Sequence, residues 1–413
     1  MKNDFVNLVN EHFNSSIEDK LVSKLFNELG HENFKPGLDR LRPTFSKFNF
    51  SNKKIITIGG TNGKGETSFY LYHALVSSGK RVGLWTSPHI LSLRERFCLS
   101  DGPVSYERLE AVVEKGLKTF KKGELSFYEF LFWCFCSLVE QDDCDYIIFE
   151  VGLGGRYDAV NLFDANLCAI TSISRDHTEI LGKDTKKILF EKLGITRAKT
   201  PALMTVEQSH LRKFARDYCQ EHGVELYDLY AEGKVEKKQN YSQRNKILAR
   251  ELFLRLGGDI SYFSMSLMLK GRFEKMTRGQ IRFIFIGAHN LDGIRKLKDL
   301  LLSSDKQEER DFLMSFSKRS EQDILDCLGV WAKAPCLYDK LLVCSFEHQK
   351  SAGAVLQELC AKVEFPESKL LWLDNWKDYL IELYNQQKPQ TIYVSGSYYF
   401  IGELQRFILA NFS

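Results

Sequence analysis

Short continuous apolar runs recur along the chain, each closed by glycines or hydroxyl residues and followed by a segment with helical apolar spacing. Ile55–Ile58, 81–87, 145–152, 166–173 and 201–206 read as strands, and the unbroken apolar character of "DYIIFEVG" and "NLCAITSI" marks strands buried on both faces. Between them, 67–78, 106–120 and 127–141 read as helices. After "GRFEKMTRG" the cycle restarts. Strands at 281–286, 311–316, 341–345, 369–373 and 391–395 alternate with helices near 291–302, 320–332, 352–363 and 376–386. Such alternation predicts an α/β protein with mainly parallel sheets. The second series is long enough for its own small doubly wound, Rossmann-like domain. The expected division is 1–278 and 279–413, with the polar stretch 232–246 as an exposed connection leading into a helix.

The chemistry gathers where the predicted strands end. "IITIGGTNGKGETS" (55–68) runs from a strand into a glycine loop and a helix, the setting in which backbone N–H groups and a helix N-terminus bind phosphate. Lys64 adds a point charge. The usual nucleotide loop, G-x-x-x-x-G-K-[ST], places a hydroxyl directly after its lysine, whereas here Gly65 and then Glu66 follow. Glu150 ends a buried strand, where a carboxylate is costly without a cation and where an acid facing a phosphate loop can hold Mg²⁺. The Gly152–Gly155 run after it allows close backbone approach to a ligand. Asp176 and His177 follow another strand. Ser87, Pro88 and two arginines follow a third, with Pro88 a candidate cis proline.

Composition narrows the class. At 413 residues the chain calls for two or three domains. A formal net charge of +3 gives no electrostatic case for nucleic acid or a membrane surface. The ten cysteines are scattered, without paired CxxC motifs, as expected of reduced thiols in the cytoplasm. The amino terminus lacks the apolar core of a signal peptide, and "FLFWCFCSLV" is too short to span a bilayer.

In order, the chain carries "GGTNGKGETS", "TSPHILSLRERF", "LSFYEFL", "EVGLGGRYDAVN", "TSISRDHTEILG", "EKLGITR", "GRFEK", "GAHN" and "SGSYYFIGEL". This series resembles the successive motifs of the folylpolyglutamate synthase/dihydrofolate synthase family of the Mur ligase superfamily, over roughly residues 20 to 405. The family's phosphate loop has the short form G-T-N-G-K-G-[ST], so Gly65 is ordinary there and Glu66 is not. The resemblance implies a Mur-ligase-like P-loop ATPase domain with a mainly parallel sheet, followed by a smaller Rossmann-like domain. It further implies an ATP-dependent ligase that adds L-glutamate to dihydropteroate, to reduced folate, or to both.

Residue by residue, the resemblance makes Lys64, Lys192 and His177 the catalytic set. Gly60, Thr61, Asn62, Gly63, Lys64, Gly65 and Thr67 would cradle ATP, with Asn245 and Arg272 as further contacts. Ser87, Glu150, His177 and Lys192 would hold two Mg²⁺ ions, Lys192 as a carbamate. Pro88, Arg96, Gly154, Gly155, His289 and Ser397 would face the substrates, the last two placing glutamate. A monomer is implied. Two departures stand out: Ile286 replaces the aspartate of D-G-A-H-N, and Glu66 brings a negative charge towards the triphosphate or simply stabilises the first helical turn. Arg94 stands where an asparagine is usual. Two alternatives stay open at this level: a Mur-type ligase for another carboxylate acceptor, and a folate- or nucleotide-binding paralogue with impaired catalysis.

Overall fold

The computed structural model describes residues 9, 13–30, 37–264, 267, 269–303, 310–366 and 368–412. The chain forms two compact units, one of residues 1–174 and 181–267, the other of 175–180 and 268–413.

Among the described residues, the first unit carries an eight-stranded sheet: β1 (Lys54–Gly59), β2 (Val82–Trp85), β3 (Phe97–Leu99), β4 (Gly102–Pro103), β5 (Tyr146–Glu150), β6 (Leu167–Ile170), β7 (Pro201–Met204) and β8 (Glu225–Asp228). Their order is β4-β3-β2-β5-β1-β6-β7-β8, parallel except where β3 pairs with β2 and β4. β1 lies between β5 and β6, with Ile58 opposite Glu150 and Gly59 opposite Ile170. Three carboxyl ends therefore open at one level, the usual ligand edge of such sheets.

Helix Phe127–Gln141 is buried without interruption from Glu129 to Val139. That explains its lack of a polar face: a helix hydrophobic all round belongs in a core. Ser126 and Glu129 close its start as a capping box. Phe132 packs against Trp85 and Phe149 at ring-centroid distances of 5.5 and 5.2 Å. Each such ring contributes about 1.5–3 kcal/mol by burial.

The second unit holds a six-stranded sheet among its described residues: β9 (Arg272–Arg278), β10 (Ile281–Ile286), β11 (Asp311–Met314), β12 (Lys340–Cys344), β13 (Leu370–Leu373) and β14 (Gln390–Ser395). The order is β13-β12-β11-β14-β10-β9, parallel but for the β9–β10 pair. β9 falls before residue 278 yet belongs to this sheet. Its alternating "RFEKMTR" buries only Glu274 and Met276, the mark of an edge strand and not of a buried one. Two other limits move. The helix after β1 starts at Lys64 instead of Thr67, because Gly63 in the left-handed region forms its N-cap. The supposed connection 232–246 gives way at Tyr241 to helix Tyr241–Arg255, where Asn240 and Gln243 form a capping box.

Among the described residues no helix is long and apolar enough to cross a membrane. The ten cysteines are free, and all but Cys336 are buried.

Candidate active site

The loop leaving β1 is fastened to the end of β6. Thr61 N donates to Ser172 O at 2.7 Å and Asn62 N to Ser172 Oγ at 3.1 Å. Asn62 O accepts from Thr171 Oγ1 at 2.7 Å and from Ser172 Oγ at 3.0 Å. Gly60 has φ 139°, and a Cβ there would overlap Thr171 Oγ1, so no other residue fits. Lys64 Nζ donates to the carbonyls of Gly60 and Thr61 at 3.2 and 3.1 Å, which holds the ammonium over the loop.

Glu150 brings its carboxylate to the same edge. It is 5% exposed and accepts from Ser87 N at 3.2 Å. A Cβ on Gly65 would stand 3.3 Å from both carboxylate oxygens, so the missing side chain leaves Glu150 beside the helix start. The Ser87–Pro88 peptide is cis. Among the described residues, Thr67 Oγ1 is buried without a hydrogen-bond partner. Lys192, in helix Thr185–Leu193, is buried and donates to Gly60 O at 2.8 Å. Gly155 lets its loop lie on that helix: a Cβ there would be 2.9 Å from Glu191 O and 3.1 Å from Lys192 Cα. Gly154 takes φ 67°.

Side chains not singled out from the sequence shape these loops. Asp158 accepts from Gly152 N, Leu153 N and Val160 N at 2.8, 2.9 and 3.1 Å, and from Tyr128 Oη at 3.0 Å. Burial pushes its carboxyl above the usual range, against the pull of these donors. Trp85 Nε1 donates in turn to Tyr128 Oη at 3.2 Å. The turn after Pro88 wraps around Glu95, which accepts from Ile90, Leu91 and Ser92 N at 3.0, 2.8 and 2.8 Å. Fully buried Glu18 accepts from Ser92 Oγ at 2.9 Å and Tyr106 Oη at 2.8 Å. Arg96 donates through Nε to His89 Nδ1 at 3.0 Å, whereas Arg94 turns to the carbonyls of Pro103 and Val104.

Glu66 does not stand as a loose charge in the loop. It is 5% exposed; its carboxylate accepts from Ser242 Oγ and, at 2.7 Å, from Asn245 Nδ2, both on helix Tyr241–Arg255.

The remaining candidates belong to the second unit. His177 has φ 48° and stands on the 175–180 segment. Its neighbour Asp176 accepts from Asn290 Nδ2 at 3.0 Å and lies 3.5 Å from His289 Nε2. Burial works to raise the Asp176 carboxyl, but His289, His177 and Arg319 hold it well below the usual range. His289 Nδ1 lies 3.0 Å from Gly287 O, and its ring sits 5.0 Å from that of Tyr398. Arg272 donates to Tyr398 Oη and lies over the same ring. The turn carrying Arg272 is fixed by a buried ion pair, Lys270 Nζ to Glu274 Oε1 at 3.0 Å, with Gln405 completing the bonds. Ser397 caps helix Tyr398–Asn411 and shares a 2.7 Å bond with Ser317 Oγ. Ile286 is 6% exposed within an apolar cluster that includes Ile284, Phe312 and Ile294.

Thus the loop residues Gly60 to Gly65, Thr67, Ser87, Pro88, Arg96, Glu150, Gly154, Gly155, Lys192 and Asn245 lie in the first unit, and His177, Arg272, His289 and Ser397 in the second. Among the described residues no three His, Cys, Asp or Glu side chains form a ready metal cluster. The Glu150 carboxylate beside Ser87, with the partnerless Thr67 hydroxyl buried nearby in sequence to the lysine, nevertheless suits a hard divalent ion, which prefers oxygen.

No protein-family model matches the chain. Over 200 residues, 46% of this chain and 46% of the relative, it is 38% identical to the dihydrofolate synthase/folylpolyglutamate synthase of Haemophilus influenzae. Over 205 residues, 48% of each, it is 33% identical to that of Bacillus subtilis. The chain thus matches about half the length of these curated relatives. Its fold matches Escherichia coli FolC in complex with DHPP and ADP, with a TM-score of 0.78 at 24% identity over 95% of this chain and 97% of that one. It also matches a bifunctional folylpolyglutamate synthase/dihydrofolate synthase with Mn, AMPPNP and L-glutamate bound, with a TM-score of 0.75 at 25% identity over 94% and 97%. The chain thus resembles dihydrofolate synthase/folylpolyglutamate synthases in sequence across about half of its length, and in fold across nearly all of it.

Proposed function

We propose that the chain is an ATP-dependent ligase that joins L-glutamate to dihydropteroate, to a reduced folate, or to both. The observation that carries this reading is the convergence of Lys64, Glu150 and Lys192 on one short glycine loop. The complexes of relatives with ADP and DHPP, and with Mn, AMPPNP and L-glutamate, support it.

A carboxylate is too poor an electrophile to meet an amine unaided. In the proposed reaction its oxygen takes the γ-phosphoryl group of ATP, the bond to the β-phosphate breaks, and ADP is left. The glutamate amine then attacks the acyl carbon, loses a proton, and the C–O bond to phosphate breaks. Lys64 and the loop N–H groups hold the polyphosphate in place. Asp158 keeps the 152–160 loop in one shape next to helix Thr185–Leu193. Glu150 and Ser87 would hold a divalent ion, Mg²⁺ in the cell, which when bound neutralises charge on the transferred phosphoryl oxygens. Lys192 as a carbamate is the expected ligand of a second ion. The reading includes a monomeric, cytoplasmic protein, in keeping with its net charge of +3 and scattered free thiols.

The test supplies purified protein with ATP, Mg²⁺, glutamate and either dihydropteroate or tetrahydrofolate. ADP release should require both acceptor and glutamate. Absence of turnover with either acceptor, alongside measurable ATP binding, would remove the ligase reading.

A further inference from the structure

Glu66 stands where the resemblance expects a hydroxyl, and its surroundings assign it a task. Both carboxylate oxygens are engaged, one by Ser242 Oγ and one by Asn245 Nδ2 at 2.7 Å, so the group cannot swing. An ionised carboxylate only accepts hydrogen bonds. Asn245 must therefore turn its NH₂ to Glu66, and its carbonyl oxygen is left on the other side of the amide. A serine or threonine both donates and accepts, and would not impose that orientation.

The freed oxygen faces the phosphate loop. A Cβ built on Gly63 would overlap Asn245 Oδ1 and stand 2.7 Å from Nδ2 and 2.8 Å from Cγ. Gly63 has φ 92° and caps the helix that begins at Lys64. Asn245 is 2% exposed, and among the described residues Oδ1 accepts no hydrogen bond. An acceptor with no protein donor, set against a glycine of the loop, is placed to take a hydrogen bond from a ligand.

We propose that Glu66 is a positioning residue for nucleotide recognition: it locks Asn245 so that Oδ1 accepts a hydrogen bond from the nucleoside part of ATP. The inference rests on the ATP-dependent reading above. Two groups on that nucleoside have the required chemistry, the exocyclic amine of adenine and the ribose 2′-hydroxyl, and ITP and 2′-deoxyATP each lack one of them. The negative charge is thereby spent inside the protein, on two donors of a neighbouring helix, and not directed at the phosphates.

The experiment compares the full-length parent, Glu66→Ala and Glu66→Gln for Kd and KM with ATP, ITP and 2′-deoxyATP. Glu66→Ala should weaken ATP about tenfold, the size of one lost hydrogen bond, in KM and Kd with kcat little changed. The same substitution should leave unchanged the affinity for whichever analogue lacks the donor. Glu66→Gln keeps an acceptor for Nδ2 and should stay within about threefold of the parent. If Glu66→Ala does not fold, Asn245→Ala should show the same selective loss. Equal weakening of all three nucleotides, or ATP binding by Glu66→Ala at the parental level, would overturn the positioning role. A parent that binds no nucleotide would instead overturn the ATP-dependent reading itself, and this inference with it.

Discussion

Lys192 Nζ donates to the main-chain oxygen of Gly60 at 2.8 Å, so a helix far along the chain braces the first residue of the phosphate loop. A free amine makes that bond, and a carbamate keeps one N–H on the same nitrogen while adding two oxygens that can ligate a cation. Carbamylation would therefore add metal-binding capacity without giving up the only kind of donor the Gly60 contact needs. Lys192→Met should lower kcat by about 10²–10³, the scale of one lost preorganised electrostatic contact. Parental turnover should fall on removal of CO₂ and recover with bicarbonate, and Lys192→Ala should regain activity with added acetate. Indifference to bicarbonate would mean that the lysine works as an amine.

Gly60 meets Thr171 without room for a Cβ and holds φ 139°. Gly60→Ala should cost about 1–3 kcal/mol in backbone strain. It should also displace the carbonyl that both Lys64 and Lys192 use. Chemical denaturation should register the first effect and a raised KM for ATP the second; a variant matching the parent in both would contradict the fit described for the loop.

Ile286 ends β10, and its side chain lies in an apolar cluster. Ile286→Asp, which restores the residue usual in the resemblance, should destabilise the protein by roughly 2–4 kcal/mol through burial of an unpaired polar group. Denaturant titration gives the loss directly. A gain in ATP affinity without loss of stability would show that the aspartate finds a partner there.

Glu251 is set between Lys234 and Arg250 at 3.0 and 2.9 Å. Burial raises its carboxyl, but the two cations outweigh it and the folded-state value lies below the ordinary one. A depressed carboxylate stabilises the fold above its unfolded value of about 4.3 and loses that contribution as pH falls through the lower folded value. Because both cations are partly exposed, the contribution is about 0.5–1 kcal/mol. Glu251→Gln should melt below the parent at pH 7, and the gap should close below pH about 4. A gap that persists in acid would assign the effect to packing.

The strands were legible where they are buried on both faces. Phe127–Gln141 was legible to the residue, because an unbroken apolar run between a capping serine and a polar end has few other solutions. β9 was hidden by its edge position: one buried face yields a polar alternation that looks like a connection. The loop glycines, Lys64 and Glu150 announced themselves by spacing after predicted strands. The role of Glu66 did not, since its partners lie 176 and 179 residues away in sequence. Glu18 and Tyr128 escaped for the same reason, as long-range acceptors and donors carry no local periodicity, whereas most donors to Asp158 lie within its own loop. Glu95 was within reach, because "SLRE" is a capping-box pattern.

The four bonds that tie Thr61 and Asn62 to Thr171 and Ser172 have a thermodynamic consequence. They are made within the folded chain and need no visitor, so the conformational entropy of the loop is lost when the protein folds. In the proposed function a triphosphate would meet a cradle whose shape is already set, and little of its binding free energy would go to ordering the backbone. Association should then resemble docking to a rigid surface, limited by encounter and not by rearrangement, with the adjustable part of recognition left to side chains such as Lys64.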